Sequence, residues 1–143
     1  MVAIEPTAIR YIKQGAGDRW VGRAFADQTL EFGFPGLPHS LCLNCLAADK
    51  RGEPDAWAPV TKFFRDQEGK SAGKASDNLR EVRDFYTLGA DCLWVTIAQE
   101  RVWWCFAEPG VCGRGNPDLD SEGSRYRRVI GGLERAVFAI SVK

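Results

Sequence analysis

The stretch LGADCLWVTIAQERVWWCFAEP, residues 88–109, holds three of the chain's five tryptophans and decides how the fold is read. Two alternating apolar runs meet at Gln99-Glu100, the pattern of a short β-hairpin. With those two residues as the turn, opposed positions of an antiparallel pair sum to a constant. Ala98 then faces Arg101, Thr96 faces Trp103 and Trp94 faces Cys105. Two faces follow. Leu93, Val95, Ile97, Val102, Trp104 and Phe106 form one, an apolar set expected to be core, while Trp94, Thr96, Trp103 and Cys105 form the other, with Trp94 and Trp103 as diagonal neighbours. A three-residue turn would exchange Trp103 and Trp104 between the faces. Two readings of this double-sided hydrophobicity stay open: a sheet covered on both sides, or an indole lining a pocket for a flat ligand such as a stacked base.

Outward from the hairpin, the segment DNLREVRDFYTLG before it is expected to be a helix. Ser76 or Asp77 would cap it, Leu79, Val82, Phe85 and Tyr86 form its buried stripe, and Gly89 stops it. LPHSLCLNCLAADK and DAWAPVTKFFRDQ have apolar spacing suited to two shorter helices, the second with Trp57, Val60, Phe63 and Phe64 directed into the core. Near the N-terminus TAIRYIKQG and TLEFGF read as strands joined by a glycine turn at Gly15 and Gly17. After the hairpin a Gly/Pro/Asp-rich loop leads to a last β-like segment, SRYRRVIGGLERAVFAISVK, interrupted at Gly131 and Gly132. The expected class is α+β.

At 143 residues the chain is the size of one domain, 1–143, and is long enough for a single core. Its 19 basic and 19 acidic residues cancel, which excludes the overall positive field of a non-specific nucleic-acid binder and makes any such contact local. No apolar run is long enough to span a bilayer, and MVAIEPTAIRYIK lacks the apolar centre of a signal peptide, so a cytoplasmic protein with no membrane partner is expected. Five cysteines, Cys42, Cys45, Cys92, Cys105 and Cys112, are an odd number without a secretion signal and read as reduced thiols. Cys42 and Cys45 make one close pair, but Cys105 and Cys112 do not make the second that a structural zinc site uses. Buried small hydrophobes, with no metal and no cofactor, are the expected roles.

The segment YIKQGAGDRWVGRAFADQTLEFGF resembles the opening of the PUA-like superfamily, the EVE-like branch in particular, in Gly15, Gly17, Trp20 and Phe32-Gly33-Phe34. VRDFYTLGADCLWVTIAQERVWWCFAEPGV is similar to that family's helix, turn and paired strands, and SRYRRVIGG to its late basic strand. The chain differs from the family pattern at Gly89-Ala90-Asp91 and at Leu133. The resemblance implies a curved, partly closed β-barrel with helices at its rim and a groove that recognises nucleic acid, often a flipped modified base. It also implies a specificity module of a modification-dependent restriction system, with a nuclease fused or associated. Flipping costs a few kcal/mol, which stacking and edge hydrogen bonds offset. Trp20 and Phe34 fall on the family's aromatic positions. Trp94 or Trp103 could supply a further wall, and Tyr86 completes the base-binding candidates.

For the phosphates, Lys70 and Lys74 lie ahead of a helix N-terminus that favours an anion. Arg80 and Arg83 follow on that helix, and Arg125, Arg127 and Arg128 cluster near the end, so that together these could form a basic rim. The bland alternative is a solvated surface of i,i+4 pairs such as Arg80 with Asp84. EGKS is no P-loop, because Phe64 stands where the motif's first glycine must be. His39 is the one histidine, and Cys42, three residues on, is too local a partner for a nucleophile pair. No nuclease pattern joins Glu100, Glu108, Asp118 and Asp120. The expectation is therefore a non-catalytic module that binds a base, modified or not, in DNA or RNA. The alternative is a protein-interaction or oligomerisation domain built on exposed tryptophans.

Overall fold

The computed structural model describes residues 5–13, 21–34, 36–113 and 125–135, the last four without their side chains. Trp20, Gly15, Gly17, Asp118 and Asp120 lie outside the described residues. The chain runs β1 (Ala8–Tyr11), α1 (Val21–Asp27), β2 (Thr29–Phe32), α2 (His39–Lys50), α3 (Ala58–Lys62) continued by a π-helical turn (Phe63–Gln67), α4 (Ala72–Thr87), β3 (Cys92–Ala98), β4 (Arg101–Gly113) and β5 (Arg125–Arg135). This is an α+β fold with one five-stranded mixed sheet of order β1-β3-β4-β5-β2. β1 is parallel to β3 and the other pairs are antiparallel. No helix among the described residues is long and apolar enough to cross a membrane.

The hairpin forms with the two-residue turn. Trp94 pairs with Cys105, Thr96 with Trp103 and Ala98 with Arg101, and both turn residues take positive φ, 55° at Gln99 and 60° at Glu100, as the turn that matches strand twist requires. The expectation about the faces is overturned. Cys92, Trp94, Thr96, Ala98, Cys105 and Ala107 are the buried set. Leu93, Val95, Ile97, Val102, Trp104 and Phe106, expected to be core, are only half-buried on the outer side. The reason is what covers each side. α4 lies across the inner face, where Phe85 stacks on Phe32 at 4.5 Å and meets the edge of Trp94 at 5.8 Å.

Helix α4 starts earlier than the sequence reading placed it. Its N-cap is Ser71, whose hydroxyl accepts from Lys74 N–H at 3.2 Å, so Ser76 and Asp77 are interior positions. Between β1 and β2 the chain forms α1 in addition to any turn. Arg23 of that helix reaches the fully buried Glu31 of β2 at 3.2 Å, and Thr29 hydrogen-bonds the same carboxylate. β5 runs through Gly131, whose φ of 73° takes up a register shift against β4 between Trp104 and Phe106. The two edge strands, β1 and β2, do not pair with each other, so the expected closure into a barrel is not made.

Candidate functional site

Phe34, just after β2, holds a φ of 69°, a left-handed conformation that costs a bulky residue about 1–3 kcal/mol. It persists because its loop is tied down. Leu37 N–H donates to Phe34 O at 2.9 Å, and one Arg125 nitrogen donates to Phe34 O at 3.3 Å and to Leu37 O at 2.6 Å. The ring packs edge-on against Phe32 and Phe64, at 5.6 and 4.9 Å. Together with Phe32 it forms the aromatic wall of a cavity of about 490 Å³, within the range of small-molecule sites. Ile12 and Trp94 also line it, the end of β1 adds Arg10 and Lys13, and α4 adds Arg80, Glu81 and Asp84. Residues from both unpaired edges thus face one another across one space, which requires the sheet to curl.

The charges around this cavity are of both signs. Arg10 Nε donates to Asp84 Oδ2 at 2.8 Å, and this hydrogen bond raises the Arg10 pKa. Arg80 turns to Asp77 at 3.4 Å. Glu81 makes no hydrogen bond or ion pair with the described residues, and burial raises its carboxyl pKa against the weaker pull of Lys74 and Arg80. Such an arrangement can stack a flat ring against Phe34, accept a hydrogen bond at Glu81 and meet an anion with the cations of the rim.

Of the base-binding candidates, the cavity brings together Phe34 and Trp94. Trp94 is 3% exposed, with the Arg127 guanidinium 5.4 Å from its ring, so it contributes a floor and no free stacking face. Trp103 is elsewhere. It packs on Phe25 at 4.5 Å and donates its indole N–H to Ala98 O. Tyr86 is also buried away from the cavity, its hydroxyl 2.7 Å from His39 Nδ1 and accepting from Arg125 at 3.3 Å.

The basic candidates divide in the same way. Arg80 lines the cavity, whereas Arg83 lines a shallow depression against Trp57 and Asp49, on another side of α4. Lys70 and Lys74 are exposed at the N-terminal end of α4, and Arg128 is exposed with its guanidinium 5.8 Å from the Tyr126 ring. Arg125 and Arg127, expected on the rim, are 1% and 0% exposed. The Arg127 guanidinium donates to four backbone carbonyls, those of Glu108, Phe85, Gly89 and Ala107, and burial lowers its pKa. Four carbonyl dipoles stand in for a counter-ion there. Both arginines point inward because β5 pairs with β2: Arg127 opposes Leu30 and Arg125 opposes Phe32, which are core residues.

His39 belongs to this interior network. The Tyr86 hydroxyl accepts from Arg125 at 3.3 Å and lies 2.7 Å from His39 Nδ1, where it can donate to the unprotonated nitrogen of a neutral imidazole. Burial and the nearby Arg125 charge lower the His39 pKa, which favours that neutral form. Cys42, Cys45, Cys92 and Cys105 are buried, and desolvation raises the thiol pKa of each, that of Cys105 to about 12. The described residues contain no group of three or more His, Cys, Asp or Glu placed to hold a metal.

Sequence reading missed Arg10, Lys13, Glu81 and Asp84. The one available signal was Glu81 and Asp84 at helical spacing beside Arg80; nothing local places β1 next to β3. No family model, curated protein or solved structure matches the chain.

Proposed function

We propose that the chain is a non-catalytic nucleic-acid-binding module that takes a base, modified or not, into the cavity between Phe34 and α4, within a curved PUA-like sheet. The observation that carries this reading is the strained Phe34. A backbone held in an unfavourable conformation at the wall of a ligand-sized aromatic cavity is the kind of strain that binding sites retain. Arg10, Lys13 and Arg80 offer cations for phosphate contact at the mouth, interleaved with Glu81 and Asp84. In such a module the chemistry on the nucleic acid would belong to a fused or associated nuclease.

The test is tryptophan-fluorescence titration with short DNA and RNA oligonucleotides carrying unmodified, methylated or hydroxymethylated bases, at two salt concentrations, on wild type and Phe34→Ala. Trp94 in the cavity floor makes fluorescence a local reporter. Saturable quenching that weakens with salt and is lost in the folded variant supports the reading. No response from any oligonucleotide overturns it.

A second reading rests on a different observation. Leu93, Val95, Val102, Trp104 and Phe106, with Pro6, line an apolar hollow on the outer face of the sheet, and Ile9 and Tyr11 beside it are 59% exposed. Such a surface suits a protein interface. It would bind independently of salt, in contrast to phosphate contacts.

A further inference from the structure

We propose, resting on the base-pocket reading above, that the cavity selects its base by an amino-bearing edge, with the Glu81 carboxylate as the acceptor that reads it. Glu81 and Asp84 are three residues apart on α4 and so lie on the same side of the helix, where both line the cavity. Their situations differ. Asp84 is committed to Arg10 at 2.8 Å, and its side chain is 17% exposed. Glu81 makes no such commitment among the described residues, and its neighbour Arg80 is turned to Asp77.

The walls narrow what this acceptor is for. Phe32 and Phe34 offer stacking but no hydrogen bonds. Arg10 commits its Nε–H to Asp84 and one Nη1–H to Ile9 O, which holds the guanidinium against α4 and leaves its other N–H groups for acceptors such as phosphate oxygens. Arg80 and Lys13 are exposed at the mouth, where they suit phosphate oxygens. Glu81 is exposed too, but it lines the cavity, so a base that enters strips water from its carboxylate. That desolvation is offset only if the incoming edge donates a hydrogen bond. Cytosine N4 and adenine N6 donate; the oxygen that replaces them in uracil, thymine or hypoxanthine would set lone pair against lone pair. A carboxylate accepting from cytosine N4 is a recognised base contact.

The test uses matched bases that differ only in that edge: cytosine against uracil, 5-methylcytosine against thymine, and adenine against hypoxanthine. Each is placed singly, opposite an abasic site in a labelled duplex, and read by fluorescence anisotropy at fixed salt. The expected result is tighter binding of the amino member of a pair by about five- to 150-fold, with Glu81→Gln collapsing that ratio towards one while the variant keeps its far-ultraviolet spectrum. Equal or reversed preference in wild type, or a preference that survives Glu81→Gln, overturns the inference and leaves the pocket reading standing, provided that Phe34→Ala abolishes binding. If the folded wild type binds none of the duplexes, the pocket reading fails and the inference falls with it.

Discussion

The two faces of the β3–β4 hairpin make an instructive pair. The outer face is the more uniformly apolar, with Leu93, Val95, Ile97, Val102, Trp104 and Phe106, yet it is the half-exposed one. The inner face mixes Cys92, Trp94, Thr96, Cys105 and Ala107, and it is buried. Hydrophobicity sets how much a face gains on being covered; which face is covered depends on where the helices land. Here α4 presents Val82, Phe85 and Tyr86, all within 3% of full burial, to the inner side. The mixed composition of that side then makes sense. Small cysteines and Ala107 leave room for the large Phe85 and Trp94 rings and for the Arg127 guanidinium held among its carbonyls.

The largest effect that bears on this contrast comes from deleting one ring on each side. Phe85→Ala removes a fully buried ring stacked on Phe32 and should cost about 3–5 kcal/mol. Phe106→Ala, on the outer face, should cost about 1 kcal/mol, because only part of its surface leaves water on folding. Urea denaturation midpoints at constant m-value measure both. Equal costs would mean that the outer face is as fully covered as the inner one, and the contrast would collapse. A small cost for Phe106→Ala accompanied by a concentration-dependent sedimentation coefficient in wild type alone would instead sharpen it, by showing that other copies of the chain cover that face.

The same contrast shows what a sequence can carry. Strand pairing in the hairpin was legible because it depends on a two-residue turn and the period of two, both local. The Val82, Phe85 and Tyr86 stripe was legible from helical spacing. The assignment of core and outer faces was not, since both faces satisfy the local pattern and only the tertiary position of α4 separates them. Arg125 and Arg127 misled for a related reason. Their charge argues for the surface, and their burial follows from opposing Phe32 and Leu30 across a pairing between strands nearly a hundred residues apart in sequence. Half of the cavity was hidden likewise. Phe34 could be singled out from its neighbours in the chain, but Arg10 and Asp84 meet only because β1 lies parallel beside β3.

A smaller effect concerns the interior side alone, through its one titrating imidazole. The folded His39 pKa is lowered by burial and by Arg125, so the folded state disfavours the charged ring. Above the unfolded value near 6.5 the ring is neutral in both states and stability is at its full level. As pH falls through that value, the unfolded chain binds the proton first and stability declines, until the folded pKa is passed. The urea midpoint should therefore drop as pH falls below about 6.5, and the His39 share of that drop should vanish in His39→Gln. Identical slopes in the two proteins would show that the buried network does not hold His39 neutral.

The smallest effect tests the element on which both faces depend. Gln99 and Glu100 turn the hairpin with φ of 55° and 60°, in a region that Asn and Gly enter at less cost than Gln and Glu. Combining Gln99→Asn with Glu100→Gly should leave the register untouched and raise stability by about 0.5–1 kcal/mol, since the folded backbone is relieved of strain at both positions. The added flexibility of glycine in the unfolded chain works against this gain, which is why Gln99→Asn alone should capture a cleaner share of it. Inserting one residue into the turn is the opposite experiment. It would move Trp103 and Trp104 to the other faces, send Trp104 into the space under α4 and place Trp103 outside, away from Phe25. A chain that tolerated the insertion with an unchanged urea midpoint would show that the two faces are interchangeable to the fold. A large loss would show that the inner face is specified by the shapes packed against α4 and that its hydrophobicity alone is not sufficient.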